Sequence, residues 1–465
     1  MKRFHLPAIL SLAIFAFACT PTEQPADVEQ VPEGPALIEM AGHAPLPEWA
    51  VDANIYEVNI RQYTPEGTFN AFGQHLPRLA EMGVDILWFM PIFPISDTKR
   101  KGSLGSYYAI SDFKSVNPKF GTMADFQALV DQAHDLGMYV ILDWTPNHTG
   151  WDHPWITEHP DWYTQRGDTI THALNNDGTP TDWYDVADLN HDNPDMQDAL
   201  IADLAWWLTD VGVDGFRCDV AHSVPLSFWQ KAVPAFRAAD PDIFMLAESE
   251  QPPLRNEALF NSDYGWAMHH VLNDVAQGKK DVNAIDQQMA KQNSENTGGF
   301  PMHFTTNHDE NSWNGTVFER MGDAHKPMAV LTATLEGIPL IYSGQEEPLD
   351  HRLAFFEKDL IPFEDYAYEE FYKALFALKK AEEALWNGPH GAQPQRINDS
   401  DSVYAFQRTK GESDVVVVLN LSAEPATTTL NRALDGHTEL FSGEQVTLAA
   451  GEPIDLEPWG YKVFR

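Results

Sequence analysis

The sequence predicts a closed α/β barrel of eight parallel strands, with an insertion after the third strand and a C-terminal antiparallel β domain. From Trp49 onward, near-continuous apolar runs of strand length alternate with segments of helical periodicity, which is typical of parallel strands buried on both faces. Seven strands are clear and an eighth is expected near residues 259–266. Eight βα units in one run favour a closed barrel over an open sheet. After residue 385 the pattern changes to alternating strands, which indicates a separate β domain.

The barrel elements follow in chain order, and glycine or proline often marks where they end. The predicted barrel strands cover residues 54–63, 84–90, 139–144, 213–218, 243–247, 259–266, 300–305 and 338–342. The predicted helices cover residues 72–82, 123–136, 196–209, 226–238, 326–335 and 369–385. The predicted strands of the last domain cover residues 403–407, 415–420, 439–441 and 461–464.

These elements predict a domain organisation. Residues 46–147 and 194–387 form the barrel, residues 148–193 the insertion, and residues 388–465 the C-terminal β domain. The insertion has no clear period and is rich in tryptophan, aspartate and histidine, and an irregular segment of that length carries function or forms a small subdomain. Its tryptophans either form a sugar-stacking surface or fill the core of the insertion.

The first residues indicate an export signal. Lys2 and Arg3 precede an apolar stretch over residues 6–18, which is shorter than the ~20 residues of a membrane span and typical of a secretory signal peptide. The end of that stretch, residues 16–19, resembles a bacterial lipobox and implies cleavage before Cys19 and a lipid on its sulfur. The alternative is ordinary cleavage nearby. Residues 19–45 are polar and proline-rich, which predicts a disordered tether. The expected location is therefore a membrane-anchored lipoprotein in the periplasm or on the cell surface.

Composition excludes several classes of protein. The chain has 465 residues, with 69 Asp and Glu against 30 Lys and Arg, for a formal charge of −39; this charge repels phosphate backbones and argues against a nucleic-acid partner. Hydrophobic residues make up 43%, which excludes global disorder. Two cysteines, Cys19 and Cys218, exclude a disulfide scaffold and a thiolate zinc cluster. Cys218 is expected to be a buried, inert thiol.

Charged residues and histidines follow four of the predicted strands, at the end where barrels build their active sites. A single acid in such a position is commonly structural, but four strands that deliver such groups to one rim predict a site. The third strand is followed by Asp143 and His148, the fourth by Arg217 and Asp219, the fifth by Glu248, and the seventh by His308 and Asp309.

Carboxylates grouped with an arginine suit the cleavage of glycosidic bonds, which needs one anionic carboxylate and one protonated carboxylic acid. Asp219 lies two residues after Arg217 and so on the same face of the strand, and we expect Arg217 to lower its pKa. We expect the pKa of Glu248 to be raised by burial and like charge. The competing chemistry is metal-dependent hydrolysis. In that reading the metal ligands are His148, His308, Asp309 and Asp143.

At these residues the sequence resembles the α-amylase family of glycoside hydrolases, family thirteen. The four short blocks of that family appear in order at residues 143–148, at residues 215–219, at Glu248 and at residues 304–309. The resemblance covers the chain from Trp49 to the C-terminus. It implies a (β/α)8 TIM barrel with a B domain after strand 3 and a C-terminal antiparallel β-sandwich.

The resemblance also implies a role for each matching residue. Asp219 matches the nucleophile that forms a glucosyl–enzyme intermediate, Glu248 the general acid/base, and Asp309 the third carboxylate, which grips sugar hydroxyls. The other matching residues bind or support the substrate. Arg217 orients the nucleophile, His148 and His308 hydrogen-bond the sugar, Tyr108 stacks on it, and Asp143 supports the site from behind.

The family further implies that no cofactor takes part in the chemistry and that a structural Ca²⁺ binds near the insertion. The matching ligands are Asn147, Asp188 and Ser223. The second block departs from well-known α-amylases, which place lysine and histidine where this chain has His222 and Ser223. A backbone carbonyl can ligate calcium whatever its side chain, so Ser223 remains a candidate.

The function expected from the resemblance is retaining hydrolysis of α-glucosidic bonds, chiefly α-1,4 bonds in starch, maltodextrin or malto-oligosaccharides. Three alternatives stay open: an exo-acting or α-1,6-acting relative such as an α-glucosidase, oligo-1,6-glucosidase or cyclomaltodextrinase; a transglucosylase; and a non-catalytic glycan-binding lipoprotein. The sequence favours neither endo nor exo action and indicates no oligomeric state.

Overall fold

The computed structural model describes residues 37–38, 42–295 and 297–465. The predicted signal peptide, Cys19 and most of the predicted tether lie outside these residues. No helix within the described ranges is both long and apolar enough to cross a membrane.

Eight parallel strands close into a barrel, and each strand pairs with the next one along the chain until the last pairs with the first. The predicted fold class is therefore confirmed. The strands are β1 (Ile55–Val58), β2 (Ile86–Phe89), β3 (Tyr139–Trp144), β4 (Gly215–Cys218), β5 (Phe244–Ala247), β6 (Ser262–Tyr264), β7 (Phe300–His303) and β8 (Ile338–Tyr342). Nearly every residue of these strands is buried, which explains their continuous apolar character. The pairing of β3 with β4 sets Asp143 opposite Arg217.

Helices surround the barrel and cover its outer face, where their apolar side chains join those of the strands in one core. The main helices are Phe69–Gly73, Leu76–Met82, Met123–Asp135, Pro194–Trp206, Leu226–Ala239, Trp266–Ala276, Asn283–Glu295, Val317–Met321, His325–Thr334 and Glu369–Ala381. Short helices also occur at Ile60–Tyr63, Trp155–Glu158 and Pro252–Asn256.

Several predicted elements differ from the structure in their bounds, and three of the differences are described here. The strand predicted over residues 54–63 ends at Val58 and gives way to a short helix, in which Arg61 donates to the carbonyl oxygens of Gly105 and Phe355 at 3.1 and 3.0 Å. The helix predicted over residues 72–82 is two helices, and Pro77 lies in the first turn of the second, where a missing N–H costs little. Residues 439–441, predicted as a strand, come directly after the strand Leu434–Thr438 and are not part of it.

The insertion is held to the barrel by a short antiparallel ribbon, in which His148–Gly150 pairs with Val186–Asp188. Its tryptophans differ in their surroundings. Trp155 and Trp162 pack edge to face with ring centroids 4.8 Å apart, so they belong to the core of the insertion. Trp183 is 39% exposed and lines the cavity described below.

The C-terminal β domain consists of a four-stranded antiparallel sheet and two two-stranded sheets. Its strands are Gln395–Arg396, Val403–Lys410, Ser413–Asn420, Ala426–Thr429, Leu434–Thr438, Gln445–Leu448, Pro453–Leu456 and Tyr461–Phe464. Arg408, on the long second strand, is fully buried against the barrel. Its guanidinium donates to the carbonyl oxygens of Thr334 and Leu335 at 3.1 and 2.7 Å, at the end of the helix that precedes β8.

Candidate active site

A buried arginine joins the carboxylates at the centre of the barrel mouth. Arg217 Nη1 donates to Asp143 Oδ1 and to Asp219 Oδ1, both at 2.8 Å. Its Nη2 lies 3.1 Å from Glu248 Oε2, and its Nε donates to the hydroxyl of Tyr264 at 3.1 Å. One guanidinium with no exposed surface therefore fixes three carboxylates that come from three neighbouring strands.

The Glu248 carboxylate is also held by the backbone next to the predicted nucleophile. The N–H of Val220 donates to Glu248 Oε2 at 2.6 Å. Val220 has φ 37° and ψ 42°, a left-handed conformation that is a genuine outlier for a β-branched residue. This strained backbone aims the amide at the carboxylate, so Asp219 and Glu248 are positioned by the same turn.

A second chain of hydrogen bonds runs from Asp143 to β1. The hydroxyl of Tyr108 donates to Asp143 Oδ2 at 3.0 Å and lies 2.8 Å from His308 Nε2. On the other side of the ring, His308 Nδ1 lies 2.5 Å from Glu57 Oε1. The backbone N–H of His308 donates to Glu57 Oε2 at 3.3 Å. Asp309 Oδ2 lies 3.4 Å from His308 Nε2. Tyr108, His308 and Asp309 thus share one face of the site.

Burial dominates the protonation of the carboxylates. Burial raises the pKa of Asp219 above its ordinary value, with the repulsion of Glu248 and Asp143 adding to it, while Arg217 lowers it. Burial likewise raises the pKa of Asp143 to about 6 against the opposing effect of Arg217. The prediction that Arg217 lowers the pKa of Asp219 below its ordinary value was wrong, because one guanidinium does not compensate the charges of three buried carboxylates. This imbalance favours a proton within the cluster, as acid catalysis requires.

The two predicted sugar-binding histidines are in opposite charge states. Burial lowers the pKa of His148 to about 3, so it is neutral at physiological pH. Burial alone would lower the pKa of His308 too, but the carboxylates of Asp309 and Glu57 outweigh it and raise that pKa to about 9. His308 is therefore a cation beside Asp309. Cys218 is buried, and burial raises its pKa well above the ordinary value, so it is an unreactive thiol.

These side chains open into a cavity of about 610 Å³, a size typical of small-molecule sites. The predicted residues that line it are Tyr108, His148, Asp219, Glu248, His308 and Asp309. Aromatic and charged side chains from loops complete the wall: Lys101, Asp182, Trp183, Asp185, Trp313, Phe355 and Phe356. Asp143 and Arg217 lie behind this surface, fully buried. The cavity thus brings together carboxyl groups that can stabilise a positively charged reaction centre or donate a proton to it, and polar side chains that can bind hydroxyl groups.

Comparison with known families agrees with this fold. The profile of the α-amylase catalytic domain matches residues 49–360, and the profile of the maltogenic amylase C-terminal domain matches residues 396–463. The chain belongs to the α-amylase family. Within this family, the α-amylase MalA of Haloarcula japonica is 31% identical over 420 residues, which cover 86% of this chain and 59% of that protein. The α-1,4-glucan:maltose-1-phosphate maltosyltransferase 1 of Streptomyces coelicolor is 27% identical over 438 residues, covering 85% and 63%. The chain thus spans about three fifths of the length of these relatives.

Solved structures of the α-amylase family agree with the fold. An α-amylase from Lactobacillus plantarum superposes with a TM-score of 0.78 at 28% identity and covers 90% of this chain and 99% of its own. A noncanonic maltogenic α-amylase, AmyB from Thermotoga neapolitana, gives a TM-score of 0.77 at 27% identity and covers 89% and 98%. The correspondence extends over both the barrel and the C-terminal domain.

In this family member, the loop residues of the cavity wall were not predicted from the sequence, and neither were three buried residues that hold the predicted site residues in place. The carboxylate of Glu57 hydrogen-bonds His308 Nδ1, and the hydroxyl of Tyr264 accepts a hydrogen bond from Arg217 Nε. Trp88 Nε1 donates to Asp143 Oδ2 at 3.2 Å. All three are buried and lie on barrel strands. Glu57 left one signal: it is the only charged residue of the strand Ile55–Val58, and a buried carboxylate requires a partner.

The predicted calcium ligands are only partly brought together. The N–H of Leu189 donates to the carbonyl oxygen of Asn147 at 3.1 Å, so the Asn147 and Asp188 segments adjoin. Asp188 Oδ1 already accepts from the N–H of Leu174 at 3.1 Å. Among the described residues, no group of three or more His, Cys, Asp or Glu side chains could hold a metal. Asn147, Asp188 and Ser223 would offer an ion one carboxylate, and the calcium site stays a prediction.

Proposed function

We propose that this chain hydrolyses α-glucosidic bonds in starch, maltodextrin or malto-oligosaccharides with net retention of configuration. The observation that carries the proposal is the shared contact of Asp219, Glu248 and Asp143 with one buried guanidinium at the wall of an oligosaccharide-sized cavity. Two carboxyl groups that are held close together and flank the scissile bond suit the retaining mechanism, which needs a separation of ~5–5.5 Å. The family to which the chain belongs supports the choice of substrate.

In the first step, an oxygen of Asp219 attacks the anomeric carbon while Glu248 donates its proton to the departing glycosidic oxygen. The C–O bond to the leaving sugar breaks and a covalent glucosyl–Asp219 ester forms. In the second step, Glu248 takes a proton from water, the water oxygen attacks the anomeric carbon, and Asp219 is released. Arg217 holds Asp219 and Glu248 in place in both steps. These roles make the oxocarbenium-like transition state, rather than the substrate, the best fit to the site.

The remaining residues of the cavity hold the reacting sugar. The ring of Tyr108 offers it a stacking surface, because its hydroxyl is anchored by Asp143 and His308. His148 is neutral and buried, and its Nδ1 lies 3.2 Å from Asn147 Nδ2, which leaves Nε2 to hydrogen-bond a sugar hydroxyl. Asp309 and the cationic His308 form a charged pair that binds hydroxyls more strongly than neutral groups do.

A reducing-sugar assay on soluble starch tests the proposal, with the native protein compared with Glu248→Gln. We expect the variant to lose nearly all activity while its circular dichroism and melting temperature stay close to native. Glu257→Gln is the matched control, because Glu257 is exposed and pairs with Gln230 outside the cavity. Equal activity of Glu248→Gln and native protein would refute the catalytic assignment. If the native protein binds glycans but does not cleave them, the proposed hydrolysis is refuted and the alternative of a non-catalytic glycan-binding lipoprotein is supported.

Transfer to a sugar hydroxyl in place of water is a second candidate reaction. It is favoured by the relatives that are named maltosyltransferases. Incubation with concentrated maltose tests it. Products longer than the substrate would show transfer, and their absence at every acceptor concentration would exclude it.

We also propose that the protein is exported and anchored by a lipid on Cys19. The support is the charged start, the apolar stretch over residues 6–18 and the lipobox-like end of that stretch. A polar, proline-rich tether over residues 19–45 would then separate the enzyme from the membrane surface.

A structural Ca²⁺ held by Asn147, Asp188 and Ser223 is proposed as a further feature. Such an ion would stabilise the junction between insertion and barrel, and the chemistry proposed above uses no metal. The adjoining Asn147 and Asp188 segments support it.

A further inference from the structure

The two sides of the barrel mouth have different roles in the proposed reaction. Asp219 and Glu248 follow β4 and β5, which lie opposite β8 and β1 in the ring of eight strands. The leaving sugar must lie beside Glu248, which protonates its oxygen. The non-reducing end of the substrate therefore points across the mouth, toward the loop that follows β8 and the loop that follows β2, the neighbour of β1.

Three segments meet on that opposite side, and we call them together the far wall: residues 101–105 after β2, residues 182–185 in the insertion, and residues 353–359 after β8. Lys101 connects them. Its Nζ donates to the carbonyl oxygen of Asp182 at 3.0 Å and lies 3.1 Å from Asp185 Oδ1. The same ammonium lies 5.9 Å from the ring centre of Phe356, within the range of a cation–π contact.

Backbone contacts join two of these segments beside Lys101. The N–H of Leu104 donates to the carbonyl oxygen of Phe356 at 3.0 Å, and the N–H of Ser103 donates to Glu357 Oε1 at 2.8 Å. Gly102 has φ 62°, and a Cβ there would lie 2.5 Å from Phe356 Cβ. Only glycine allows this close approach, so the loop and the segment after β8 are packed without a gap.

The far wall also reaches the sugar-binding platform. The ring of Phe355 lies 6.3 Å from that of Tyr108 and nearly parallel to it, at 7°. Arg61, only 4% exposed, supports the wall from below through its hydrogen bonds to Gly105 and Phe355. An open groove that continued past Tyr108 would have to break these contacts.

We propose that the far wall, closed by Lys101, blocks the cleft beyond the sugar bound at Tyr108 and makes the enzyme exo-acting from non-reducing ends. This inference rests on the proposed hydrolysis and decides between the endo and exo action that the sequence leaves open. The substrates are then chain ends of α-glucans and free malto-oligosaccharides, and the products are short. Lys101 acts as a specificity-determining residue, because it holds the insertion against the loops after β2 and β8.

The test compares maltoheptaose with maltoheptaose whose terminal non-reducing glucose carries a 4,6-ethylidene block. We expect the native protein to cleave the free substrate and to discriminate against the blocked one by about 10–200-fold, the range of steric discrimination in a pocket. Lys101→Ala should reduce the ratio of the two rates by about tenfold or more, because the insertion is then no longer tied to the loops after β2 and β8. Lys231→Ala is the matched control, since Lys231 pairs with Asp198 between two outer helices and does not line the cavity; its ratio should equal that of the native protein.

Two results would overturn the inference. Equal rates on both substrates with the native protein would show an open, endo-acting cleft, and an unchanged ratio in Lys101→Ala would show that Lys101 does not close it. Failure to cleave either substrate would instead refute the proposed hydrolase function, and the exo assignment would fall with it.

Discussion

Glu57→Gln tests the role of the buried carboxylate that receives His308. The variant keeps the size of the side chain and an oxygen that accepts from His308 Nδ1, but it removes the negative charge. In the native protein, burial lowers the pKa of His308 while Asp309 and Glu57 raise it, with a net change from 6.5 to about 9. At about 1.4 kcal/mol for each pH unit, this interval corresponds to about 3 kcal/mol.

The sign follows from linkage between protonation and folding. Because the pKa of His308 is higher in the folded protein, its stabilising contribution is complete below pH 6.5 and is lost as the pH rises through about 9. The free-energy difference between native protein and Glu57→Gln should therefore shrink between pH 6.5 and pH 9. We expect a decrease of up to about 3 kcal/mol, and less where Asp309 alone still raises the pKa of His308.

Urea unfolding of both proteins at half-unit pH steps measures this difference. Glu310→Gln is the control, because Glu310 is also buried and lies 3.1 Å from a histidine, His269. Burial lowers the pKa of His269 from its ordinary value, whereas that of His308 is raised, so the control difference should stay close to constant above pH 6.5. A constant difference for Glu57→Gln as well would refute the charged His308–Glu57 pair.

Three further predictions concern the nucleophile, the anchor and the ion. Asp219→Asn should lower turnover by about 10⁴-fold or more with the fold retained, and proton NMR of the native reaction should show the α-anomer first; an initial β-anomer would exclude retention. Cys19→Ser should release the protein from membranes or leave it unprocessed, and an intact mass that fits an unlipidated chain cut elsewhere would contradict the anchor. Exhaustive EDTA treatment should lower the melting temperature, and added Ca²⁺ should restore it by mass action; an unchanged melting curve with no calcium by elemental analysis would exclude the site at Asn147, Asp188 and Ser223.

The barrel could be predicted because its strands are buried on both faces and therefore consist of consecutive apolar residues, which are visible in the sequence. The predictable part of the site follows directly from those runs, since Asp143, Asp219 and Glu248 each come at or just after a strand end. Boundaries set by tertiary contacts were less visible. The first strand stops at Val58 because Arg61 must turn toward Gly105 and Phe355, residues that are distant in sequence.

The electrostatic balance of the site was also beyond the sequence. Arg217 and Asp219 are two residues apart, so their contact was predictable. The third carboxylate on the same guanidinium and the complete burial of the group depend on how three strands pair, and they reverse the expected pKa shift of Asp219. The contacts of Lys101 could not be predicted from the sequence, because its partners Asp182 and Asp185 belong to an insertion with no periodicity.

The buried arginine of the C-terminal domain has a consequence for how the protein unfolds. Arg408 satisfies the carbonyl oxygens of Thr334 and Leu335, the last turn before β8, and leaving such buried groups unsatisfied costs about 1–3 kcal/mol each. The two domains should therefore lose their structure in a single cooperative transition in calorimetry. A chain cut at residue 387 should not yield a stable, independent barrel, although the catalytic side chains described above all precede that point.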